Sequence, residues 1–139
     1  MIKEVQTEAD ILECFPVMQE LRPHLNKDEF VTQVNVMFNE GFQMAACVHD
    51  ERVVAVAGYR MFHNFHLDKK IYIDDLITKS SERSKGYSTE LLTYIEIKAQ
   101  KSGCKYVHLD SGTQRTRAHK FYFNLRYEIA SFHFVKKIQ

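Results

Sequence analysis

The feature that most constrains the fold is an apolar run at residues 52–62, "RVVAVAGYRMF". A strand with one solvated face alternates apolar and polar side chains, whereas this run is apolar at almost every position. We therefore predict a central β-strand that other elements cover on both faces. Gly58 lies inside the run, and a glycine at such a position predicts a bulge.

Two helices are predicted before this strand. Thr7 followed by Asp10 is a capping signal for the first helix, and Asn26 followed by Glu29 is one for the second. Pro16 is expected to kink or split the first helix, because proline cannot donate a main-chain hydrogen bond. Further helices are predicted at residues 86–102 and 116–125 from their amphipathic patterns.

The predicted strands alternate with these helices in the order β, α, α, β, β, β, α, β, α, β. Three consecutive strands predict an antiparallel meander, and the strand–helix–strand unit after them predicts a parallel pair. The fold class is therefore α/β: a mixed sheet with helices on both faces, in one domain over residues 1–139. The strands are expected at residues 2–6, 42–48, 52–62, 70–78, 106–110 and 128–138.

Composition excludes several classes of function. The net charge of +1 argues against a nucleic-acid binder, which is usually basic overall or along one stripe. The three cysteines form no C-x-x-C pair, so neither a metal site nor a disulfide framework is predicted. The sequence shows no signal peptide and no run of about 18 apolar residues. We therefore expect no membrane span and a cytoplasmic protein.

Residues 82–92, "ERSKGYSTELL", predict an anion-binding loop. Arg83 and Lys85 supply positive charge, Gly86 lets the main chain approach a ligand closely, and a helix follows directly. The start of a helix carries free N–H groups that bind phosphates. The loop matches neither the P-loop nor the dinucleotide-binding pattern. On the loop alone, a surface loop with solvated charges is an equal alternative.

Three motifs in the correct order carry a family resemblance. The loop reads Arg83-Ser84-Lys85-Gly86-Tyr87-Ser88, "YIDDLIT" precedes it, and "AHKFYFNLRY" follows it. In these segments the chain resembles the GNAT superfamily of N-acetyltransferases, whose loop pattern is [RQ]-x-x-G-x-[GA] and whose last helix reads A-x-x-[FL]-Y-x-x-x-G-[FY]. The chain departs from the family at Ser88, where glycine or alanine is usual, at Arg115 and at Arg126.

The resemblance implies that acetyl-CoA is the acetyl donor. Its diphosphate would lie on N–H groups of the loop and helix start, and its pantetheine arm would pair with the edge of the fourth strand. No metal is implied. The cofactor-binding residues that the resemblance implies are Leu76, Ile77, Thr78, Arg83, Ser84, Lys85, Gly86, Tyr87, Ser88 and Thr89.

Acetyl transfer to an amine needs a base, a group that stabilises the oxyanion, and a proton donor for the departing thiolate. The resemblance places a proton-donating tyrosine at Tyr122, for which a core position is the alternative. Asp74 and Asp75 are candidate bases; adjacent strand residues face opposite sides unless a bulge re-aims them, and a structural salt bridge is an equal alternative. Ile77 is the expected N–H donor to the oxyanion.

These expectations combine into an N-acetyltransferase that moves an acetyl group from acetyl-CoA directly to a primary amine. The acceptor is an unidentified small molecule or protein amine, and no motif names it. The alternative is a non-catalytic acyl-CoA-binding module with the same fold, acting in regulation or interaction. The resemblance also allows a homodimer.

Overall fold

The computed structural model of the protein describes residues 1–139. It divides into two compact units, residues 1–108 and residues 109–139, and each is described here by itself. A single-turn 3-10 helix, Ser80–Glu82, follows the fourth strand. The strands and α-helices are β1 (Ile2–Glu4), α1 (Glu8–Leu21), α2 (Lys27–Asn39), β2 (Phe42–His49), β3 (Arg52–Asn64), β4 (Asp68–Thr78), α3 (Tyr87–Lys101), β5 (Tyr106–Leu109) and α4 (Thr116–Asn124).

The five strands form one sheet in the order β1-β2-β3-β4-β5. The first four strands pair antiparallel, and β4 and β5 form the parallel pair. The predicted fold class, a mixed sheet with an antiparallel N-terminal part and helices on both faces, is therefore confirmed. No helix combines the length and the apolar character that a membrane crossing requires.

The central strand β3 is buried on both faces, as its apolar run predicts. Every residue from Val54 to Tyr59 is buried. Side chains of a strand alternate between faces, so one face of β2 and β3 packs into a core with α1 and α2, and the other face packs against α3. The first core contains Phe42, Met44 and Val56. The strands β3 and β4 therefore lie between α1 on one face and α3 on the other.

Both N-terminal helices begin at side-chain caps, as predicted. Thr7 and Asp10 form a complete capping box on α1, and the Asn26 side chain accepts a hydrogen bond from an N–H group of α2. The expectation that Pro16 splits α1 is wrong, because the helix runs without interruption from Glu8 to Leu21. Buried neighbours of Pro16, such as Phe15, anchor the helix on the core across the missing hydrogen bond.

The second unit contains α4 and an irregular C-terminal segment. Arg126 takes the left-handed conformation with φ 66°, and the N–H of Tyr127 donates to the carbonyl of Tyr122 at 3.0 Å, which ends the helix. The predicted strand at 128–138 is wrong, since no regular structure follows α4. A strand needs a neighbouring strand for its main-chain hydrogen bonds, and this segment has none in the single chain.

Candidate active site

The loop between β4 and α3 is tied to other elements at its start. The N–H of Ser80 donates to the Glu20 carboxylate at 2.7 Å, which connects the loop to the end of α1. Further along, Ser84 (φ 64°) and Gly86 (φ 86°) are both left-handed and turn the chain into α3. The loop is therefore an ordered turn whose beginning is hydrogen-bonded to α1.

The helix α3 begins without a side-chain cap. Its N-cap residue is Gly86, which has no side chain to accept a hydrogen bond from the first turn. Free N–H groups at the start of a helix carry a partial positive charge and bind anions. A Cβ atom built on Gly86 meets no atom within 4 Å, so the space beside the turn is open. The start of α3 can therefore receive an anionic group.

Two cationic side chains lie just before this helix start. Arg83 and Lys85 are both exposed, and Lys85 Nζ donates to Glu82 Oε2 at 2.6 Å. This hydrogen bond lowers the pKa of Glu82 and raises the pKa of Lys85. A bound diphosphate would compete with Glu82 for the Lys85 ammonium group.

The end of β4 lies against the first turn of α3. One of the hydroxyl groups of Thr78 and Ser88 donates to the other across 2.6 Å. The ring of Tyr87 packs against His49, at the end of β2, with their centroids 5.6 Å apart. The structure therefore brings together the predicted binding residues of β4 and those of the loop and helix.

The strand β4 extends well beyond its neighbour β5. The N–H of Lys105 donates to the carbonyl of Lys69 at 2.8 Å, and the rings of Tyr72 and His108 lie 4.9 Å apart. These contacts place His108 beside Tyr72, so β5 ends one residue later, at Leu109, whereas β4 continues to Thr78. The remaining residues of β4 pass the end of β5 and border an opening in the sheet.

The register with β3 determines which main-chain groups face this opening. The N–H of Lys79 donates to the carbonyl of Val54 at 2.8 Å, and main-chain groups alternate in direction along an antiparallel strand. The N–H and carbonyl of Ile77 therefore point toward β3, opposite Val56. The N–H and carbonyl groups of Leu76 and Thr78 point away from β3. The N–H of Ile77, which the sequence analysis expected to be free for an oxyanion, therefore points toward β3 instead.

A bulge in β4 places Asp74 and Asp75 on the same face of the sheet. Gly58 pairs with Asp75 while Tyr59 pairs with Ile73, so Asp74 is the extra residue. The bulge predicted at Gly58 is therefore present, and its additional residue lies on the opposite strand. Side chains along β4 would otherwise alternate between faces and direct the two carboxylates to opposite sides, but the bulge interrupts this alternation.

Gly58 permits a close approach between two side chains on this face. A Cβ atom at position 58 would lie 2.5 Å from the ring of Phe42 and 2.9 Å from Oδ2 of Asp75. The guanidinium of Arg60 lies over the same Phe42 ring, 5.5 Å from its centroid. Asp75 therefore lies beside the ring of Phe42, at the edge of the core that packs against α1 and α2.

Two arginines that the sequence analysis missed hold these carboxylates. Arg22, at the end of α1, bonds Asp75 Oδ1 through Nε at 3.0 Å and Nη2 at 2.9 Å, and it also donates to the Asp74 carbonyl at 3.2 Å. Arg60 Nε lies 3.1 Å from Asp74 Oδ2. No local sequence signal identifies Arg22, because it lies 53 residues from Asp75.

The two carboxylates differ in their electrostatic surroundings. Burial raises the pKa of Asp74 above its ordinary value, although the neighbouring Arg60 opposes that shift. A carboxyl group with a raised pKa is a better proton acceptor when it is ionised at neutral pH. The raised pKa of Asp74 suits the general base that the sequence analysis predicted.

Tyr122 lies in the second unit, on α4. Its ring makes edge contacts with Phe121 and Tyr127, with centroids 5.3 Å and 5.8 Å apart. Burial raises the pKa of the Tyr122 hydroxyl, although the positive charge of Arg115 opposes the shift. The phenol is therefore protonated at neutral pH, as a proton donor must be.

The cysteines do not have the character of activated nucleophiles. Burial raises the pKa of Cys47 to about 11 and that of Cys14 to about 12, and it also raises the pKa of Cys104. A nucleophilic cysteine requires a lowered pKa, because the thiolate is the reacting form. No group of three or more His, Cys, Asp and Glu side chains is arranged to hold a metal ion.

Comparison with known proteins fixes the family. The sequence profile described as "Acetyltransferase (GNAT) family" matches residues 6–125. This chain belongs to the GNAT acetyltransferase family. A curated relative, the "Uncharacterized N-acetyltransferase YhdJ" of Bacillus subtilis (strain 168), is 30% identical to it over 139 residues, covering 99% of this chain and 98% of the relative. The family resemblance predicted from the three motifs is therefore confirmed.

Solved structures share the GNAT fold over the whole chain. The structure described as AAC(6')-Iy in complex with the bisubstrate analog CoA-S-monomethyl-acetylneamine superposes with a TM-score of 0.86 at 12% identity, covering 100% of this chain and 97% of that one. A putative acetyltransferase from Agrobacterium tumefaciens str. C58 has a TM-score of 0.85 at 18% identity and covers 99% of both chains. At these identities the likeness concerns the fold.

Proposed function

We propose that this GNAT protein transfers an acetyl group from acetyl-CoA directly to a primary amine. The observation that carries the proposal is the uncapped start of α3, where a left-handed glycine opens space beside free N–H groups and two cations. A CoA diphosphate is an anion that suits this arrangement. The complex of AAC(6')-Iy with a CoA bisubstrate analog supports the same donor class.

The proposed donor site has a diphosphate part and a pantetheine part. The diphosphate is held by N–H groups from Ser84 to Thr89, with Arg83 and Lys85 adding charge-assisted hydrogen bonds. The pantetheine amides pair with the free main-chain groups of Leu76 and Thr78, which extend past the end of β5. Ile77 contributes its side chain between them rather than its N–H group.

The proposed reaction proceeds in one transfer step with balanced protons. Asp74, with Asp75 beside it, accepts a proton from the acceptor ammonium, directly or through a water, so that the neutral nitrogen attacks the thioester carbonyl carbon. The N–H of Leu76 or Thr78 stabilises the oxyanion that forms. The carbon–sulfur bond then breaks, Tyr122 donates its proton to the departing thiolate, and the Tyr122 phenolate regains a proton as the attacking nitrogen loses its second one. Asp74 releases its proton to solvent. The products are the N-acetylated amine and CoA.

The raised pKa values of the cysteines favour direct transfer over a route through a covalent acyl-enzyme. A ping-pong route needs a cysteine that forms a thiolate near neutral pH. Cys47 and Cys104 both have raised pKa values, and Cys47 is fully buried in the sheet. We propose that the acceptor is a small-molecule or protein amine in the cytoplasm.

The proposal is tested by measuring thiol release from acetyl-CoA with a broad panel of amines, alongside calorimetric titration of acetyl-CoA. We expect heat of binding and amine-dependent release of CoA. Tyr122→Phe should lower kcat by about 100-fold, in the usual range for a lost general acid, while acetyl-CoA affinity is retained. Tyr106→Phe, outside the motifs, serves as the matched control. The donor site is refuted if acetyl-CoA gives no binding heat.

A specific observation favours the alternative of an acyl-CoA-binding regulatory module. Asp74 and Asp75 both already pair with arginines, Arg60 and Arg22, as a structural ion pair would. The two functions differ in one measurable outcome. Acetyl-CoA binding without thiol release for any amine in the panel would support the module and exclude the transferase.

A further inference from the structure

The carboxylates proposed to deprotonate the acceptor belong to a cluster with no net charge. We call it the ion-pair cluster, and its members are Arg22, Arg60, Asp74 and Asp75. A site that binds polycations gathers carboxylates in excess, because a local charge of one sign attracts ligands of the opposite sign. Here each carboxylate is balanced by one guanidinium. The balance indicates an acceptor that carries both a positive and a negative group.

Arg60 uses only one of its nitrogens within this cluster. Its Nε lies 3.3 Å from Oδ1 and 3.1 Å from Oδ2 of Asp74, and neither terminal nitrogen hydrogen-bonds another group of the protein. The side chain is 29% exposed, so a ligand can reach it. The terminal N–H groups of a guanidinium form a planar fork that matches a carboxylate. Arg60 can therefore bind an anionic group of the acceptor while it holds Asp74.

Asp75 is likewise bonded on one side only. Arg22 reaches its Oδ1 through Nε at 3.0 Å and Nη2 at 2.9 Å, whereas Oδ2 accepts no hydrogen bond within the protein. An ionised carboxylate offers about four lone-pair positions to hydrogen-bond donors. Oδ2 of Asp75 can therefore accept a hydrogen bond from an ammonium group without displacing Arg22.

Arg22 itself is committed to the bulge in β4. Its Nη2 also donates to the main-chain carbonyl of Asp74 at 3.2 Å. Asp74 is the extra residue of the bulge, and the main chain of such a residue is left without a partner in the ladder. Arg22 supplies that partner and fixes the position of Asp75. Of the two arginines, Arg60 is therefore the one with both terminal nitrogens available to a ligand.

The free groups of Asp75 and Arg60 border the same aromatic ring. A Cβ atom built on Gly58 would lie 2.5 Å from the ring of Phe42 and 2.9 Å from Oδ2 of Asp75. The guanidinium carbon of Arg60 lies 5.5 Å from the centroid of that ring. Phe42 is buried in the core, so it fixes both groups on one face of the sheet. A hydrogen-bond acceptor and a hydrogen-bond donor are thus held around one ring.

We propose that the acceptor is an amino acid in its zwitterionic form. Its carboxylate is bound by the terminal N–H groups of Arg60, and its ammonium group donates to Oδ2 of Asp75. The nitrogen then lies beside Asp74, which accepts its proton in the proposed reaction. Because it rests on the proposed acetyl transfer, this specificity concerns the same site and narrows its acceptor to one class of amine.

The experiment compares each common L-amino acid with its own carboxamide as acceptor, by measuring kcat/KM for CoA release. We expect at least one amino acid to react and to be preferred over its carboxamide roughly 30-fold, a factor typical of one hydrogen bond to a charged group. The carboxamide has the less basic amine, so the preference cannot come from the amine. In Arg60→Gln the preference should disappear. A change that affects both acceptors equally, including a changed pKa of Asp74, cancels in this ratio.

Lys101→Gln is the matched control for the loss of charge. It removes one exposed positive charge at the end of α3 and should keep the preference. The wild-type preference tests the proposal by itself if Arg60→Gln fails to fold. Equal kcat/KM values for amino acids and carboxamides, a higher kcat/KM for spermidine than for any amino acid, or an unchanged preference in Arg60→Gln would overturn the proposal. Release of CoA would still support the transferase.

A binding measurement separates failure of this specificity from failure of acetyl transfer. The same amino acids and carboxamides are titrated into the CoA-loaded protein in a calorimeter. Heat from an amino acid but not from its carboxamide, in a protein that releases no CoA from acetyl-CoA, would refute the transferase and support recognition by Arg60. Heat from neither would refute that recognition.

Discussion

The starts of α1 and α3 show two solutions to the same physical problem. Each helix has N–H groups in its first turn that lack partners within the helix. At α1 a closed capping box satisfies two of these groups, because the N–H of Asp10 donates to Thr7 Oγ1 and the N–H of Thr7 donates to Asp10 Oδ2. At α3 the N-cap is Gly86, which offers no side chain. The first start is capped by side chains of the protein, whereas the second has no side-chain cap.

This comparison teaches that a missing cap has a stability cost that a ligand can offset. Relative to a capping side chain, a glycine at the N-cap costs roughly a few tenths of a kcal/mol, and α3 carries that cost. The same helix start faces open space and lies beside the end of β4. Substitutions at α3 should therefore change ligand affinity, and substitutions at α1 should change stability alone.

The largest effect on acetyl-CoA affinity is expected for Gly86→Ala. An alanine at φ 86° costs about 1 kcal/mol in strain, and its Cβ would occupy the space that the ligand approaches. We expect acetyl-CoA affinity to fall about tenfold in calorimetric titration. Gly41→Ala is a matched control, because Gly41 has φ 91° and no atom within 4 Å of a built Cβ. It should lower stability similarly while leaving the affinity unchanged; equal affinity losses would contradict the comparison.

A smaller effect is expected for Arg83→Glu. The substitution replaces an attractive charge before α3 with a repulsive one, and we expect affinity for acetyl-CoA to fall roughly fivefold. The loss should diminish at high salt, because exposed charges are screened. Lys101→Glu makes the same change at the other end of α3 and should have little effect on affinity. An affinity for Arg83→Glu equal to that of the wild type would remove this residue from the site.

The stability that the start of α1 contributes to the folded protein is expected to depend on pH. Hydrogen bonds from Lys3, and then from Thr7, hold the pKa of Asp10 well below its ordinary value. A lowered folded-state pKa contributes stability above the unfolded value of about 3.9 and loses it as pH falls. In urea unfolding, Asp10→Asn should cost about 1 kcal/mol at neutral pH and progressively less in acid. Its acetyl-CoA affinity should match the wild type; a pH-independent deficit would contradict this account.

The smallest effect is expected for Glu82→Gln. Removing this carboxylate frees Lys85 for a bound diphosphate, but Lys85 is exposed and the ion pair is therefore weak. We expect acetyl-CoA affinity to rise roughly twofold in the same titration. In a Lys85→Ala background the Glu82→Gln change should have no effect. A gain that persists without Lys85 would show that Glu82 acts on the ligand by itself.

Local patterns in the sequence predicted the parts of the structure that depend on near neighbours. The caps at Thr7 and Asn26 and the buried strand β3 all follow from short motifs. Family membership followed from three such motifs in order. These features are determined by residues within a few positions of each other, so the sequence carries them directly.

The sequence could not predict features that depend on distant contacts. The pairing of Arg22 with Asp75 joins residues far apart in the chain, and the side of β4 on which a main-chain N–H lies depends on its register with β3. The predicted final strand failed for the same reason. Its residues have the composition of a strand, but a composition does not say which edge will pair with it.

Gly58 shows how strongly one small residue constrains the molecule. The ring of Phe42 and the carboxylate of Asp75 come so close to it that any larger residue would displace one of them. Substituting this position would therefore disturb the aromatic packing and the acidic group in a single step. Directed evolution toward a new acceptor must leave this site untouched and work on its surroundings.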